Sequence, residues 1–436
     1  MIILVAVLAF YLACNLGAND VANSMGTSVG SKAVTLRQAL AIAGVFEFTG
    51  AVLFGHAVSE KLATEIVNPA LFASAPHVFL TEMVSVLLAC GLWLQIATSR
   101  GWPVSSSHAV VGAIAGFGWA GIGVGAIDWS SIGQITFAWI VTPVISGTIA
   151  ALFYSQIKHW ILDQSAPLSR LDEWIPWLSS ALLSVFGVIV LPTLSQPLYA
   201  FLTMQLGFTI PAHDVPLAIG AIAAVGLTLT SWRQLEDKNT PHSSQVEQQL
   251  AMFQVLSACF VAFAHGSNDV GNAIAPLAAV AYILCTGSVP LNGLTIPSWI
   301  LVIGGAGIVT GLAIWGKKVI ATIGEGIIPL QPSGGFCAEL ATATTILLAS
   351  RLGIPVSTSH ALVGGVVGIG LVQNINSIQF QTLQGIGWAW LITIPITTGL
   401  SACIFRVSAR SNKSTWLSII LRIIAIKLRI KLHYWD

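Results

Sequence analysis

Two short patterns of polar side chains interrupt an otherwise apolar chain, and each occurs twice. Gly17-Ala18-Asn19-Asp20-Val21-Ala22-Asn23-Ser24 returns 249 residues later as Gly266-Ser267-Asn268-Asp269-Val270-Gly271-Asn272-Ala273. Gly101-Trp102-Pro103-Val104-Ser105-Ser106-Ser107-His108 returns 252 residues later as Gly353-Ile354-Pro355-Val356-Ser357-Thr358-Ser359-His360. In the first pattern, carboxylate and amide oxygens together suit a hard cation such as Na⁺. That makes Asp20, Asp269, Asn19 and Asn268 candidate cation ligands, with Asn23 and Asn272 supplying further amide oxygens. Asn19 and Asn23 are four apart and share one helix face. The glycine ahead of each motif suggests a helix break that frees backbone carbonyls for the ion. In the second pattern, proline favours a first helical turn, where its missing N–H is not needed. Ser105, Ser106, Ser107, Ser357, Thr358 and Ser359 then stand at helix N-termini. Free N–H groups and the positive dipole end make such termini natural oxyanion sites. A polar network between helices would also use Asn and Asp, and ordinary N-capping would also use Ser and Thr. Two patterns repeating in the same order favour a built site over either.

Other polar groups bear on that chemistry. Glu47, Glu82 and Glu339 lie inside apolar stretches, where a carboxylate binds a cation, relays a proton or pairs locally. Glu47 and Glu339 are candidate coupling residues. Glu339 has Leu87 as its equivalent 252 residues earlier, and Glu47 aligns near Ile308 if Thr49-Gly50 matches Thr310-Gly311. His108 and His360 close the second pattern, where they either hydrogen-bond the local backbone or carry a proton. No Lys or Arg lies within the four motif blocks, and Arg100 and Arg351 flank them. An anion beside two buried aspartates would be repelled in a low dielectric. Bound cations would remove that repulsion, and linkage then requires each ligand to raise the other's affinity.

The elements that position these groups are membrane helices. Only 8% of the 436 residues are charged and 55% are apolar, too few charges to cover a soluble surface. A bilayer core of about 30 Å takes about 20 apolar residues of helix. Such stretches run at about 2–18, 38–57, 80–98, 134–155, 177–194, 213–230, 250–264, 271–287, 298–316, 337–350 and 385–405. Segments 103–124 and 355–372 read as single spans or as re-entrant hairpins, giving ten to twelve crossings in all. The stretch Met1–Leu16 reads as a retained helix, since it lacks a basic n-region. Residues 1–230 form one half, 231–249 a polar linker, 250–405 the second half, and 406–436 a basic amphipathic tail suited to an anionic leaflet. The net charge of +1 and the absence of a basic domain argue against nucleic acid as a partner. The six cysteines are scattered through apolar stretches with no CxxC pair, and read as small buried hydrophobes.

Duplicated halves are a common plan for secondary transporters, with the site between the repeats. The repeat by itself leaves parallel and inverted arrangements open; an odd number of crossings per half would force inversion.

With both motifs present twice, the chain resembles the PiT family of inorganic phosphate transporters over nearly all of its length up to about residue 405. The resemblance implies an all-α integral membrane protein of two inverted-topology repeats with re-entrant helical hairpins. It implies phosphate uptake driven by Na⁺ or H⁺, with no cofactor, in a multi-pass protein of a plasma or inner membrane. Carried onto this chain, it places phosphate at Ser105, Ser106, Ser107, Ser357, Thr358 and Ser359, with Asn23 and Asn272 nearby. It places the cation at Asp20, Asp269, Asn19 and Asn268. The tail beyond residue 405 is not a feature of the resemblance, and the oligomeric state is left open. A passive channel for anions or small solutes would also use duplicated hairpins, but buried acids beside an anion site fit coupled transport better. An intramembrane hydrolase built on Ser105 and His108 would have to explain two near-identical copies of its site.

Overall fold

The computed structural model describes residues 1–235, 242–291, 293–317, 319–320 and 326–410. The chain is a helical bundle: α1 (Ile2–Gly30), α2 (Leu36–Phe54), α3 (His56–Thr64), α4 (Pro76–Ser99), α5 (Ser106–Gly121), α6 (Trp129–Ile157) and α7 (Pro167–Ile189) precede α8 (Asp214–Leu235). Then come α9 (His242–Thr286), α10 (Ser298–Trp315), α11 (Pro332–Arg351), α12 (Thr358–Gln373) and α13 (Phe380–Arg410). Among the described residues, eight helices are long and apolar enough to cross a membrane. Their starts follow ordinary end chemistry. Thr35 and Gln38 form a capping box on α2, Asp128 caps α6, and Pro76, Pro167 and Pro332 open α4, α7 and α11.

Three sequence expectations change. The Asn-Asp motifs are not helix breaks, because α1 and α9 run through both without interruption. Stretches 250–264 and 271–287 are accordingly one helix of 45 residues, which also takes in the second part of the expected linker. Residues 231–235 complete α8, and 236–241 lie outside the described residues, as does the tail from 411 onward. The span expected at 177–194 begins earlier, at Pro167, because Leu171, Ile175, Leu178 and Leu182 bury one stripe of α7 while its polar first turns face out.

The motif glycines serve close approach instead of a break. A Cβ on Gly17 would stand 2.0 Å from the Ile308 carbonyl oxygen, and one on Gly266 would stand 2.0 Å from that of Glu47. Helices in lipid associate through such close backbone packing, which only small residues permit. The two contacts are equivalents of each other: α1 lies on α10 as α9 lies on α2. Helix direction follows from the order of contacts. Along α2, Gly44 meets Val309, Phe48 meets Gly305, and Gly55 meets Leu301 of α10. Between α1 and α9, Asp20 stands beside His265 and Asp269, and Ser31 bonds Gln254. Both pairs of equivalent helices therefore run antiparallel.

Helices α4 and α5 form one hairpin, and α11 and α12 the other. Each turns at a glycine with positive φ, Gly101 (70°) and Gly353 (65°), a conformation that glycine adopts without strain. Each hairpin's second arm packs on the long helix of the other half, α5 on α13 through Gly116 and Thr398, and α12 on α6 through Gly364 and Pro143.

Candidate functional site

The hairpin turns are stitched to the helix of their own half. Asn19 donates to the Trp102 carbonyl (2.9 Å) and to Thr98 Oγ1 (3.2 Å) and accepts from the Val104 N–H (3.2 Å). Asn268 reaches Ser350 Oγ (3.1 Å) in the equivalent place. The amides of Asn19 and Asn268 thus hold the turns. Ser105 and Ser357 cap α5 and α12, accepting from the backbone N–H of His108 and of His360, each at 3.3 Å. Their hydroxyls are engaged as N-caps.

The turns then meet each other. Ser107 donates to the Val356 carbonyl at 2.9 Å. Ties between the halves are exchanged in a symmetric way: Asn23 donates to Thr358 Oγ1 (3.2 Å), and Asn272 lies 3.4 Å from both Ser106 Oγ and Ser107 Oγ. Behind the turns, a ladder of rings closes the seam. The rings of His108 and His360 are 4.8 Å apart, with Trp139 outside the first at 3.8 Å and Trp390 outside the second at 3.5 Å. His360 Nδ1 also bonds Ser357 Oγ. Both histidines hold hairpin structure.

In front of the turns lies a buried ionisable centre. Asp20, Asp269 and His265 offer ligand atoms within 4.8 Å of one another. His265 bridges two carboxylates, with Nε2 at 3.0 Å from Asp269 Oδ2 and Nδ1 at 3.2 Å from Glu47 Oε1, and all three side chains are 0% exposed. Ser24 donates to Glu47 Oε1 at 2.8 Å, and Thr358 donates to Asp269 Oδ2 at 3.0 Å. Asp20 Oδ2, Asn23 Oδ1, Glu47 Oε2 and Asn272 Oδ1 are buried without a hydrogen-bond partner. Asp20 joins Asp269 and Glu47 around His265, so three carboxylates share one imidazole. Buried acceptor oxygens left without donors can be satisfied by a bound cation. The hydroxyls and N–H groups at the turns beside them are the donors an oxyanion requires.

Most of the expected residues converge: Asp20, Asp269, Asn23, Asn272, Glu47, Ser106, Ser107 and Thr358. Ser359 bonds Ser357 within its own turn. Glu339 belongs to a separate polar centre. Its Oε1 accepts from Thr27 (2.6 Å), Ser28 (2.7 Å) and Gln254 (3.2 Å), and its Oε2 from Ser257 (2.9 Å). Glu82 stands apart, beside Gly121, with neither oxygen bonded. His265 was missed by the sequence reading. Its equivalent in the first half is Leu16, so a search for repeated residues passes over it. The available signal was a histidine four residues before Asp269, one helical turn away on the same face.

A family model described as "Phosphate transporter family" matches residues 16–401. A Haemophilus influenzae protein that carries the name phosphate permease is 38% identical over 409 residues, covering 92% of this chain and 95% of that one. The chloroplastic inorganic phosphate transporter 2-1 of Arabidopsis thaliana is 39% identical over 413 residues, covering 90% of this chain and 69% of that one. Among solved structures, one titled "The sodium-dependent phosphate transporter" superposes with a TM-score of 0.84 at 35% identity, covering 94% of this chain and 98% of that one.

Proposed function

This chain belongs to the phosphate transporter family, and from that premise we propose that it carries inorganic phosphate across a plasma or inner membrane by symport with a cation, Na⁺ ahead of H⁺. The observation that carries the reading is the meeting of two helix N-termini, through Ser107 and Val356 at 2.9 Å, with Thr358 of the turn donating to Asp269, which is clustered with Asp20 and His265. The hydroxyls of Ser106, Ser107 and Thr358 and the amides of Asn23 and Asn272 line the phosphate place. Asp20, Asp269 and the unpartnered amide oxygens line the cation place. Asn19 and Asn268 position the turns, and Glu47 tethers His265. The carboxylate and amide oxygens among the unpartnered atoms support Na⁺, as does the sodium dependence named for the structural relative.

Repulsion supplies the coupling. Phosphate faces a centre with three carboxylates and one imidazole, and its binding is favourable only when cations offset that charge. By linkage, phosphate raises cation affinity by the same factor. The antiparallel passage of α1 by α9 and of α2 by α10 supports an inverted repeat, the arrangement that lets two halves alternate access to one central site. The test is ³²P-phosphate uptake into proteoliposomes under imposed Na⁺ or H⁺ gradients. Accumulation above equilibrium in the Na⁺ gradient is the expected result. Equilibration without accumulation under either gradient would refute symport.

A further inference from the structure

We propose that the Thr358 hydroxyl is the switching donor of this site, committed to Asp269 while the cation is absent and turned to phosphate once a cation occupies Asp269. The inference rests on the symport reading and adds to it a residue-level cause for ordered binding.

A threonine hydroxyl has one hydrogen to give and two lone pairs to receive. At Thr358 the hydrogen is given to Asp269 Oδ2 at 3.0 Å, and a lone pair faces the Asn23 amide at 3.2 Å. In that state the hydroxyl presents oxygen, not hydrogen, to an anion at the turn. Asn23 is occupied too, since its amide nitrogen also reaches Asp20 Oδ1 at 3.3 Å. Two of the donors expected to hold phosphate, Thr358 and Asn23, are therefore spent on the carboxylates expected to hold the cation. The neighbouring acceptors are in the opposite condition: Asp20 Oδ2, Asn23 Oδ1 and Asn272 Oδ1 are buried with nothing to accept from.

A cation placed among these oxygens resolves both conditions. It satisfies the unpartnered acceptors and compensates Asp269. The Thr358 oxygen can then face the cation, and its hydrogen is free for phosphate. Charge compensation alone would make every donor at the turn equally sensitive to the cation. A switching hydroxyl makes Thr358 more sensitive than the rest. The equivalent hydroxyl, Ser106, lies 3.4 Å from Asn272, and Asp20 Oδ2 has no hydrogen bond. The device is thus set more firmly on the Thr358 side.

The experiment measures equilibrium binding of ³²P-phosphate to the purified full chain, in Na⁺ and in choline at one pH, with a pH series in place of Na⁺ if protons are what raise wild-type affinity. Thr358→Val keeps shape and removes the donor, and Thr358→Ser keeps the donor. We expect Thr358→Val to weaken binding in the presence of the cation by about ten- to a hundredfold, the loss of one hydrogen bond to a charged group. Binding without the cation should change by less than about threefold, so the enhancement by the cation collapses. Thr358→Ser should restore it, and ²²Na⁺ affinity measured without phosphate should be unchanged or higher in Thr358→Val. Equal weakening with and without the cation would make Thr358 an ordinary ligand and overturn the proposal. Wild-type protein that binds no phosphate under any cation would instead remove the symport reading, and this inference with it.

Discussion

The bridge between Glu47, His265 and Asp269 can be tested against a template in the same chain. The equivalent corner of the first half is apolar: Leu16 stands where His265 does, and Ile308 meets Gly17 as Glu47 meets Gly266. In His265→Leu, Glu47 and Asp269 stay fully buried and lose the group they share. Removing one member of a buried ionic pair costs about 3–5 kcal/mol, because the other charge is left uncompensated. Replacing the whole pair by packed apolar residues of similar volume is often neutral or stabilising. The double variant His265→Leu with Glu47→Ile copies the first half's corner, and Asp269 keeps its bond from Thr358. It should regain all but about 1–2 kcal/mol of the single variant's loss, a coupling of several kcal/mol in a double-mutant cycle. The assay is SDS-driven unfolding of the purified protein in mixed micelles, followed by tryptophan fluorescence. Additive losses from the two substitutions would refute the argument, as would a cost for His265→Leu below about 1 kcal/mol. The same double variant should fold yet transport poorly, which separates the bridge's part in stability from its part in coupling.

Asp20→Asn and Asp269→Asn should each abolish cation-driven phosphate uptake while leaving the protein folded in the membrane. Normal uptake in both would reject the cation assignment. Gly17→Ala and Gly266→Ala should each destabilise by about 1–3 kcal/mol or more, since the new Cβ meets a backbone oxygen at 2.0 Å. Gly44→Ala, whose Cβ meets only the Val309 side chain at 3.5 Å, should be close to neutral in the same unfolding assay. At the surface, the N-cap Asp128 has its carboxyl held below the usual aspartate range, first by the Ser131 backbone N–H and then by its hydroxyl. Because that shift is downward, the cap's contribution is fully present above the ordinary aspartate value of about 4. It is lost as pH falls through the lower folded value. Protection of the amides over 129–132, measured against their intrinsic exchange rate at each pH, should therefore fall in acid more steeply in the wild type than in Asp128→Asn.

Much of this arrangement was legible in the sequence because it is written twice. The convergence of Asp20 with Asp269, and of Ser107 with the turn at Val356, follows from two motifs repeated in order. What stayed hidden was of two kinds. Gly17 and Gly266 were read as breaks because glycine weakens a helix in isolation. Their use depends on Ile308 and Glu47, residues distant in sequence whose carbonyls approach them only in the packed bundle. His265 was hidden for the opposite reason: it occurs once, and repetition was the signal. Asn19 and Asn23 lie one helical turn apart on one face, where the sequence offers both amide oxygens to a cation, although the resemblance puts Asn19 with the cation and Asn23 beside phosphate. Asn19 points at its own hairpin, and Asn23 points at the other half's.

That last difference orders the bonds around the site by what a transport cycle can spare. Ties within a half are multiple: Asn19 alone holds its turn by three bonds, at 2.9, 3.2 and 3.2 Å. Among the ties between the halves, the amide bonds at the seam are the long ones: Asn272 stands 3.4 Å from Ser106 and Ser107, and Asn23 stands 3.2 Å from Thr358, beside the shorter bond from Ser107 to the Val356 carbonyl at 2.9 Å. Each of these cross-half donors and hydroxyls is also a proposed phosphate ligand. A phosphate bound at the seam replaces long protein–protein bonds with shorter charge-assisted ones, and it does so without loosening either hairpin from its own half. Loading therefore exchanges one set of bridges between the halves for a stronger set, and unloading returns the weaker set. Symmetric Asn23→Ala and Asn272→Ala substitutions should weaken phosphate binding while sparing the hairpins, whereas Asn19→Ala should cost stability first. A loss of stability in Asn23→Ala equal to that in Asn19→Ala would show that the seam is structural and not exchanged.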